Sequence, residues 1–295
     1  MDVNFELYKV FFHVASTLSF SEAANKLFIS QSAVSQSIKA LEEKLNTQLF
    51  FRNTKQVKLT KDGEILFLHI EKAYNLIKNA ERNINEIHSL EQGEIRIGAS
   101  DTICKYYLLP YLKKFHLLYP KIKILITNGT SPKCVEFLKQ GNVDFIVSNI
   151  PNNYVENSME IKNIKPIQDV FIAGMHFKEL KNKKVSLKDL EKYPFLMLEK
   201  KTTTRDFFDS VLKENNINII PEIELGSIDL LVEMSKIGLG ITFVWEECII
   251  NQLKNKEIFI VDVAENIPKR GIGVITHKQI PLSTGAKKFI ELLKV

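Results

Sequence analysis

The chain has 295 residues, 45% hydrophobic and 25% charged, the profile of a soluble globular protein of two or three domains. A net charge of +5 admits nucleic acid as a partner without requiring it, so where the cations fall matters more than their sum. The acidic opening Met1-Asp2-Val3-Asn4-Phe5-Glu6 lacks the character of a secretory leader, and no apolar run is long enough to span a bilayer. The expected location is the cytoplasm, without a membrane partner.

Phe5, Tyr8, Phe11, Phe12 and Ala15 recur at helical spacing, which predicts a helix over residues 4–16. Ser19-Phe20-Ser21-Glu22 reads as a capping box opening a second helix, whose Ala23, Ala24 and Leu27 face inward. Ser30 is a further N-cap, and a third helix runs to Lys44 or Leu45 with Val34, Ile38, Leu41 and Leu45 as its buried stripe. The opposite face gathers Gln31, Ser32, Ser35, Gln36 and Lys39, short or flexible hydrogen-bonding side chains in the first half of the helix. A recognition helix needs that arrangement, because its N-terminal turns read base edges in the major groove. A merely solvated face would look similar taken alone.

The residues that follow favour DNA. Alternation over Gln56–Thr60 predicts a strand, and residues 51–60 a hairpin wing. Arg52, Lys55, Lys58 and Lys61 bring cations with no acid among them, suited to lie along phosphates.

The run Ser19-Phe20-Ser21-x-Ala23-Ala24-x-x-Leu27-x-x-Ser30-Gln31-Ser32-Ala33-Val34-Ser35-x-x-Ile38-x-x-Leu41-Glu42 resembles the helix-turn-helix signature of LysR-type transcriptional regulators. Leu45-x-x-x-Leu49-Phe50-x-Arg52 and Leu59-Thr60-x-x-Gly63 continue the likeness. Asn46 departs from it, standing where the family commonly has a C-cap glycine; Asn tolerates the left-handed conformation, so the departure is mild.

Leu66, Ile70, Ala73, Ile77, Ala80, Ile84 and Ile87 alternate steps of four and three, a heptad seam over residues 62–89 and about 40 Å of helix. Such a stripe must be buried, against a second copy or against the chain's own C-terminal domain. The resemblance implies the first, a homodimer that sets two winged helices on a two-fold site, and leaves tetramers open. Glu91-Gln92-Gly93 reads as the hinge beyond.

From there strands and helices alternate. Glu94–Gly98, Ile122–Thr127 and Asp144–Ser148 read as strands, with helices at Tyr106–Leu118 and Ser131–Gln140 between them. A second unit starts near Pro166 with the strand Val170–Gly174 and includes Leu196–Leu198. The pattern predicts parallel sheets with crossover helices, ligands binding where strand ends meet helix N-termini. Ser100, Asp101 and Thr102 occupy the first such place, Thr130 the second, Ser148 and Asn149 the third, and Thr202, Thr203, Thr204 and Arg205 a fourth.

The resemblance extends through Gly129-Thr130, Gly141-x-Val143-Asp144-Phe145, Gly238-Leu239-Gly240-Ile241 and Leu282-Ser283-x-x-Ala286-x-x-Phe289. It implies an effector domain similar to a periplasmic binding protein, two α/β lobes with the effector between them and crossovers near Asn163–Pro166 and Ile267–Arg270. The expected organisation is a winged helix-turn-helix over 1–60, a dimerising helix over 61–90 and an effector domain over 91–295, its first lobe 93–164 with 268–295 and its second 165–267. Hydroxyls with a guanidinium suit a small anionic metabolite. Promoter DNA, that effector, a second copy and RNA polymerase are the partners implied.

Other functions find less support. There is no Gly-x-x-x-x-Gly-Lys loop, dinucleotide fingerprint or nucleophile elbow, so no catalytic residue and no cofactor are expected. A free solute-binding protein would not carry residues 1–60. A redox-responsive regulator of the same fold would need a reactive cysteine pair; Cys104, Cys134 and Cys248 lie far apart and read as buried thiols, and no metal-ligand spacing occurs.

Overall fold

The structure, a computed structural model, describes residues 3–51, 56–87 and 93–293, with the side chains at 85–87 outside that description. It divides into two compact units, Met1–Arg82 and Asn83–Val295.

In the first unit α1 (Phe5–Thr17) buries Val10, Phe11, Val14 and Ala15. The next helix, α2 (Phe20–Leu27), is opened by Ser19, whose Oγ accepts the Glu22 N–H at 3.2 Å. The expected capping box is only half made. Glu22 turns to Lys26 at 3.3 Å, and the Ser19 N–H donates to Thr17 Oγ1 instead. Ala23 and Ala24 are buried, so neighbouring helices approach closely. Helix α3 (Gln31–Leu45) starts at the Ser30 cap and ends at Asn46, whose φ of 52° is the left-handed turn a glycine would supply.

The buried Glu42 carboxylate accepts the N–H groups of Leu49 at 2.8 Å and Phe50 at 3.3 Å, tying α3 to the segment after it. Phe50 bridges Leu59 in antiparallel fashion and the Phe51 N–H donates to the Lys58 carbonyl, forming the base of a hairpin. Arg52 and Lys55 lie outside the described residues.

Thr60 Oγ1 accepts the Gly63 N–H at 3.0 Å and donates to the Gln48 carbonyl at 2.6 Å, so it caps α4 (Lys61–Ile87) and fixes the hairpin's return. A Cβ at Gly63 would sit 2.2 Å from the Leu49 carbonyl oxygen, which accounts for glycine there. Along α4, Leu66, Phe67 and Ile70 rest against the α1–α3 core, and Tyr74 stacks on Phe12 at 4.1 Å. Ala73 is half-buried and Ala80 exposed, whereas Ile77 and Ile84 are 42% and 59% exposed. The Ile87 side chain lies outside the described residues. The seam is therefore two-part, with Leu66 and Ile70 engaged inside the unit and Ile77 and Ile84 open.

The second unit holds two sheets. The first has the order β2-β1-β3-β11-β4, from β1 (Gly93–Ala99), β2 (Ile122–Asn128), β3 (Phe145–Ile150), β4 (Met159–Ile167) and β11 (Arg270–His277). The second runs β6-β10-β5-β9-β7-β8, from β5 (Asp169–Gly174), β6 (Lys184–Val185), β7 (Phe195–Leu198), β8 (Ile223–Leu225), β9 (Ile241–Trp245) and β10 (Ile258–Val263). Parallel pairing holds for β2-β1-β3 and β8-β7-β9, joined by crossover helices. It holds for β6 with β10 too, but β11 lies antiparallel to β3 and β4, and β5 to β9 and β10. These are the strands next to the crossings between sheets, where the chain changes sheet without a helix to turn it round.

The first crossing also departs from expectation. Asn163–Pro166 lies inside β4, and the chain changes sheet at Gln168; the second crossing occupies 264–269. One apolar cluster, including Ile97, Phe145, Leu196 and Val244, runs through both sheets.

Candidate nucleic-acid interface and ligand cleft

On α3, Gln31, Ser32, Ser35, Gln36 and Lys39 are all exposed, held at that face by the burial of Val34, Ile38 and Leu41 behind them. Ser30 and Ser32 share a hydrogen bond at 2.9 Å, and Lys39 lies 3.7 Å from Glu43. Lys58 is exposed at the hairpin base. The arrangement presents uncharged donors and acceptors at one end of an exposed helix face.

In the second unit a cavity of about 120 Å³ lies where strand ends meet helix starts, small beside the roughly 300–1,000 Å³ of drug-sized sites. Four helices begin at it. The first, α5 (Asp101–Ile103), follows β1 and continues through a π-helical turn, Cys104–Leu108, into α6 (Leu109–Leu118), so the helix starts five residues earlier than Tyr106. The others are α7 (Ser131–Lys139) after β2 and, past the short α8 (Leu187–Leu190), α9 (Thr203–Glu214) after β7 and α10 (Ile228–Lys236) after β8. Their first N–H groups have no partner within the helix, and each start carries the positive end of a helix dipole.

Capping side chains fix these starts. Ser100 accepts from Ile103 N, Thr202 from Arg205 N and Ser227 from Leu230 N, while Thr130 makes no side-chain cap bond. Of the residues expected at the site, Ser100, Asp101, Thr102, Thr130, Asn149, Thr202, Thr203 and Thr204 line the cavity.

Two expected residues do not. Ser148 is buried beside it, its hydroxyl engaged by Asn152 Nδ2 at 3.0 Å and the Asn149 carbonyl at 3.3 Å. Arg205 turns its guanidinium to Asp209 at 2.8 Å, Glu224 at 2.5 Å and the Leu198 carbonyl at 2.7 Å. With those bonds made it cannot serve as the cleft's cation. The start of α10, with Gly226, Ser227 and Asp229, was not anticipated. Its signal was present in Gly226-Ser227 before a helix, which repeats the pattern of Gly129-Thr130.

The sheets are bridged around this place. Asp229 accepts from the Tyr106 hydroxyl and from Lys105 Nζ at 2.9 Å; Asn149 Nδ2 donates to Thr204 Oγ1 at 3.3 Å; and the Tyr154 hydroxyl donates to Asp206 at 2.8 Å. Burial opposes ionisation of Asp229, but the bonds from Tyr106 and Lys105 outweigh it and hold the carboxyl below the usual carboxylate range. Burial, with Asp229 as acceptor, pushes the Tyr106 hydroxyl up to about 12. Among the described residues no group of three potential metal ligands occurs, and no helix is long and apolar enough to cross a membrane.

The comparisons with known proteins cover both units. Residues 5–64 match the model of the bacterial regulatory helix-turn-helix protein, lysR family, and residues 88–295 that of the LysR substrate binding domain. A probable RuBisCO transcriptional regulator of Thalassiosira pseudonana is 30% identical, over 91% of this chain and 90% of that protein. The HTH-type transcriptional regulator CysL of Bacillus subtilis (strain 168) is 28% identical over 98% of this chain and 96% of its own. Among solved structures, full-length CbnR complexed with its target DNA superposes with a TM-score of 0.69 at 19% identity, covering 99% of both chains. These relatives are regulators rather than enzymes. Matched from its helix-turn-helix through its two-sheet ligand-binding unit, this chain belongs to the LysR family of transcriptional regulators.

Proposed function

We propose that this regulator reads a specific promoter sequence through α3, takes salt-sensitive affinity from its basic hairpin, and changes transcription when a small anion binds in the cleft between its two sheets. The observation that carries the sensing half is the convergence of four helix starts on one small cavity. The exposed, uncharged face of α3 supports the reading half, and the solved relative on its target DNA shares the fold. In this reading the open half of the α4 seam, Ile77 with Ile84, pairs two copies, and the dimers can pair again. Work at a promoter sets the protein in the cytoplasm beside RNA polymerase.

The test is binding to a cognate promoter fragment and to random DNA of equal length. Gln31→Ala and Ser35→Ala should reduce discrimination between the two by about 1–3 kcal/mol. Lys55→Ala and Lys58→Ala should weaken both alike and flatten the salt slope by about one unit each. Equal losses on both DNAs from the α3 variants would remove that face from base reading.

A further inference from the structure

The cleft is ill suited to a bare anion. Among the described residues lining it there is no lysine or arginine, yet two carboxylates are present, Asp101 and Asp229. Each stands in the first turn of its own helix, where it answers that helix's positive end. Asp229 has a compensating cation in Lys105 at 2.9 Å, whereas Asp101 takes the Asn128 amide and has no ion pair among the described residues. The starts of α7 and α9 are different. The first turn of α7 contains no acid, and the acid of α9, Asp206, bonds Tyr154. The start of α7 thus offers an unanswered positive end, that of α9 one whose acid is engaged by Tyr154, and those of α5 and α10 offer acceptors.

A separate observation points to a ligand here. Thr203, at the start of α9, is 4% exposed, and its Oγ1 is buried with no hydrogen-bond partner although the residue lines the cavity. A buried hydroxyl left unpaired costs about 1–3 kcal/mol, so natural structures keep few of them.

We propose that the effector carries a hydrogen-bond donor beside its anionic group, as a small hydroxy- or amino-carboxylate does. The carboxylate lies on the starts of α7 and α9 within reach of Thr203, and the hydroxyl or ammonium is turned to Asp101. A plain carboxylate or an inorganic oxyanion meets the positive ends but leaves Asp101 facing it as a like charge. This rests on the cleft being the effector site.

The test uses the full chain at constant pH and ionic strength, with thermal unfolding in propionate, 2-hydroxypropionate, 2-aminopropionate and sulfate, each to about 50 mM. At least one donor-bearing acid should bind about tenfold or more tightly than propionate, read from the shift in Tm. In Asp101→Asn that preference should shrink and sulfate should gain, because the like charge has gone. Thr203→Val should keep the midpoint of the free chain, since no protein hydrogen bond is lost, and should weaken the acids. It remains informative if Asp101→Asn does not fold. Propionate or sulfate binding as well as the donor-bearing acids would overturn the donor requirement and leave the anion site standing. A preference that persists in both variants would overturn its assignment to Asp101 and Thr203. No shift with any probe would overturn both the proposal and the effector reading beneath it.

Discussion

Arg270 and Asp169 form a two-pronged ion pair out of reach of solvent: Nε and Nη2 meet the two carboxylate oxygens at 2.5 and 2.6 Å, with side-chain exposures of 1% and 0%. Arg270 opens β11 and Asp169 opens β5, so the pair pins together the two places where the chain changes sheet. Its third donor, Nη1, reaches Thr204 Oγ1 at 3.3 Å, and the guanidinium lies 5.0 Å over the Phe207 ring. Removing one partner strands a buried charge. Arg270→Met or Asp169→Leu alone should cost about 3–5 kcal/mol in denaturant unfolding, and the double variant clearly less than the sum. Additive losses would show that the two charges do not depend on each other.

Ile77 tests the open half of the seam. It is 42% exposed in the single chain, and a charge placed there costs little unless a second copy covers it. Ile77→Glu should yield monomers in sedimentation and lose operator binding, while the Tm of the ligand-binding unit stays within about 2 °C of wild type. An unchanged dimer would move the interface elsewhere.

Glu42 tests the joint between α3 and the hairpin. Glu42→Ala leaves the N–H groups of Leu49 and Phe50 buried without this acceptor, at about 1–3 kcal/mol for each that finds no substitute. The first unit should unfold at lower denaturant and bind both cognate and random DNA less well. Loss of discrimination with stability intact would instead make Glu42 a reader of bases.

The thiols bear on redox sensing. Burial pushes Cys104 up to about 11 and Cys134 up to about 12, and pushes Cys248 up further, from an ordinary 9.0. The native state thus favours neutral thiols. The stability this contributes is complete below pH 9.0 and is lost as pH rises from there through the folded values of about 11 and 12. Iodoacetamide at about pH 8 should modify the native protein at least tenfold more slowly than the urea-unfolded chain. Rapid native labelling, or DNA binding that changes with peroxide, would revive the redox-responsive alternative.

What the sequence made legible is what neighbouring residues decide. Ser19, Ser30 and Ser100 cap helices a few residues away, and Asn46 bends the chain where it stands, so local pattern sufficed for each. Arg205 stands beside three threonines and reads as an anion ligand, yet folding spends it on two carboxylates: Asp209, four residues on and within reach of a helix pattern, and Glu224, 19 residues on in β8, which no local pattern reveals. The Arg270–Asp169 pair joins residues 101 apart, and no window along the chain contains both. The antiparallel strands escaped for a related reason. A buried strand reads alike in either direction, and only the return of the chain from the other sheet decides how β11 runs.

The bonds from Tyr106 and Lys105 to Asp229, from Asn149 to Thr204 and from Tyr154 to Asp206 also set a clock. Each spans from one sheet to the other beside the helix starts, so a ligand whose entry needs the sheets to separate reaches those N–H groups no faster than the bridges part. Observed association rates should climb with ligand concentration and then level off at the opening rate. Tyr154→Phe, which unfastens one bridge without emptying its place, should raise that plateau.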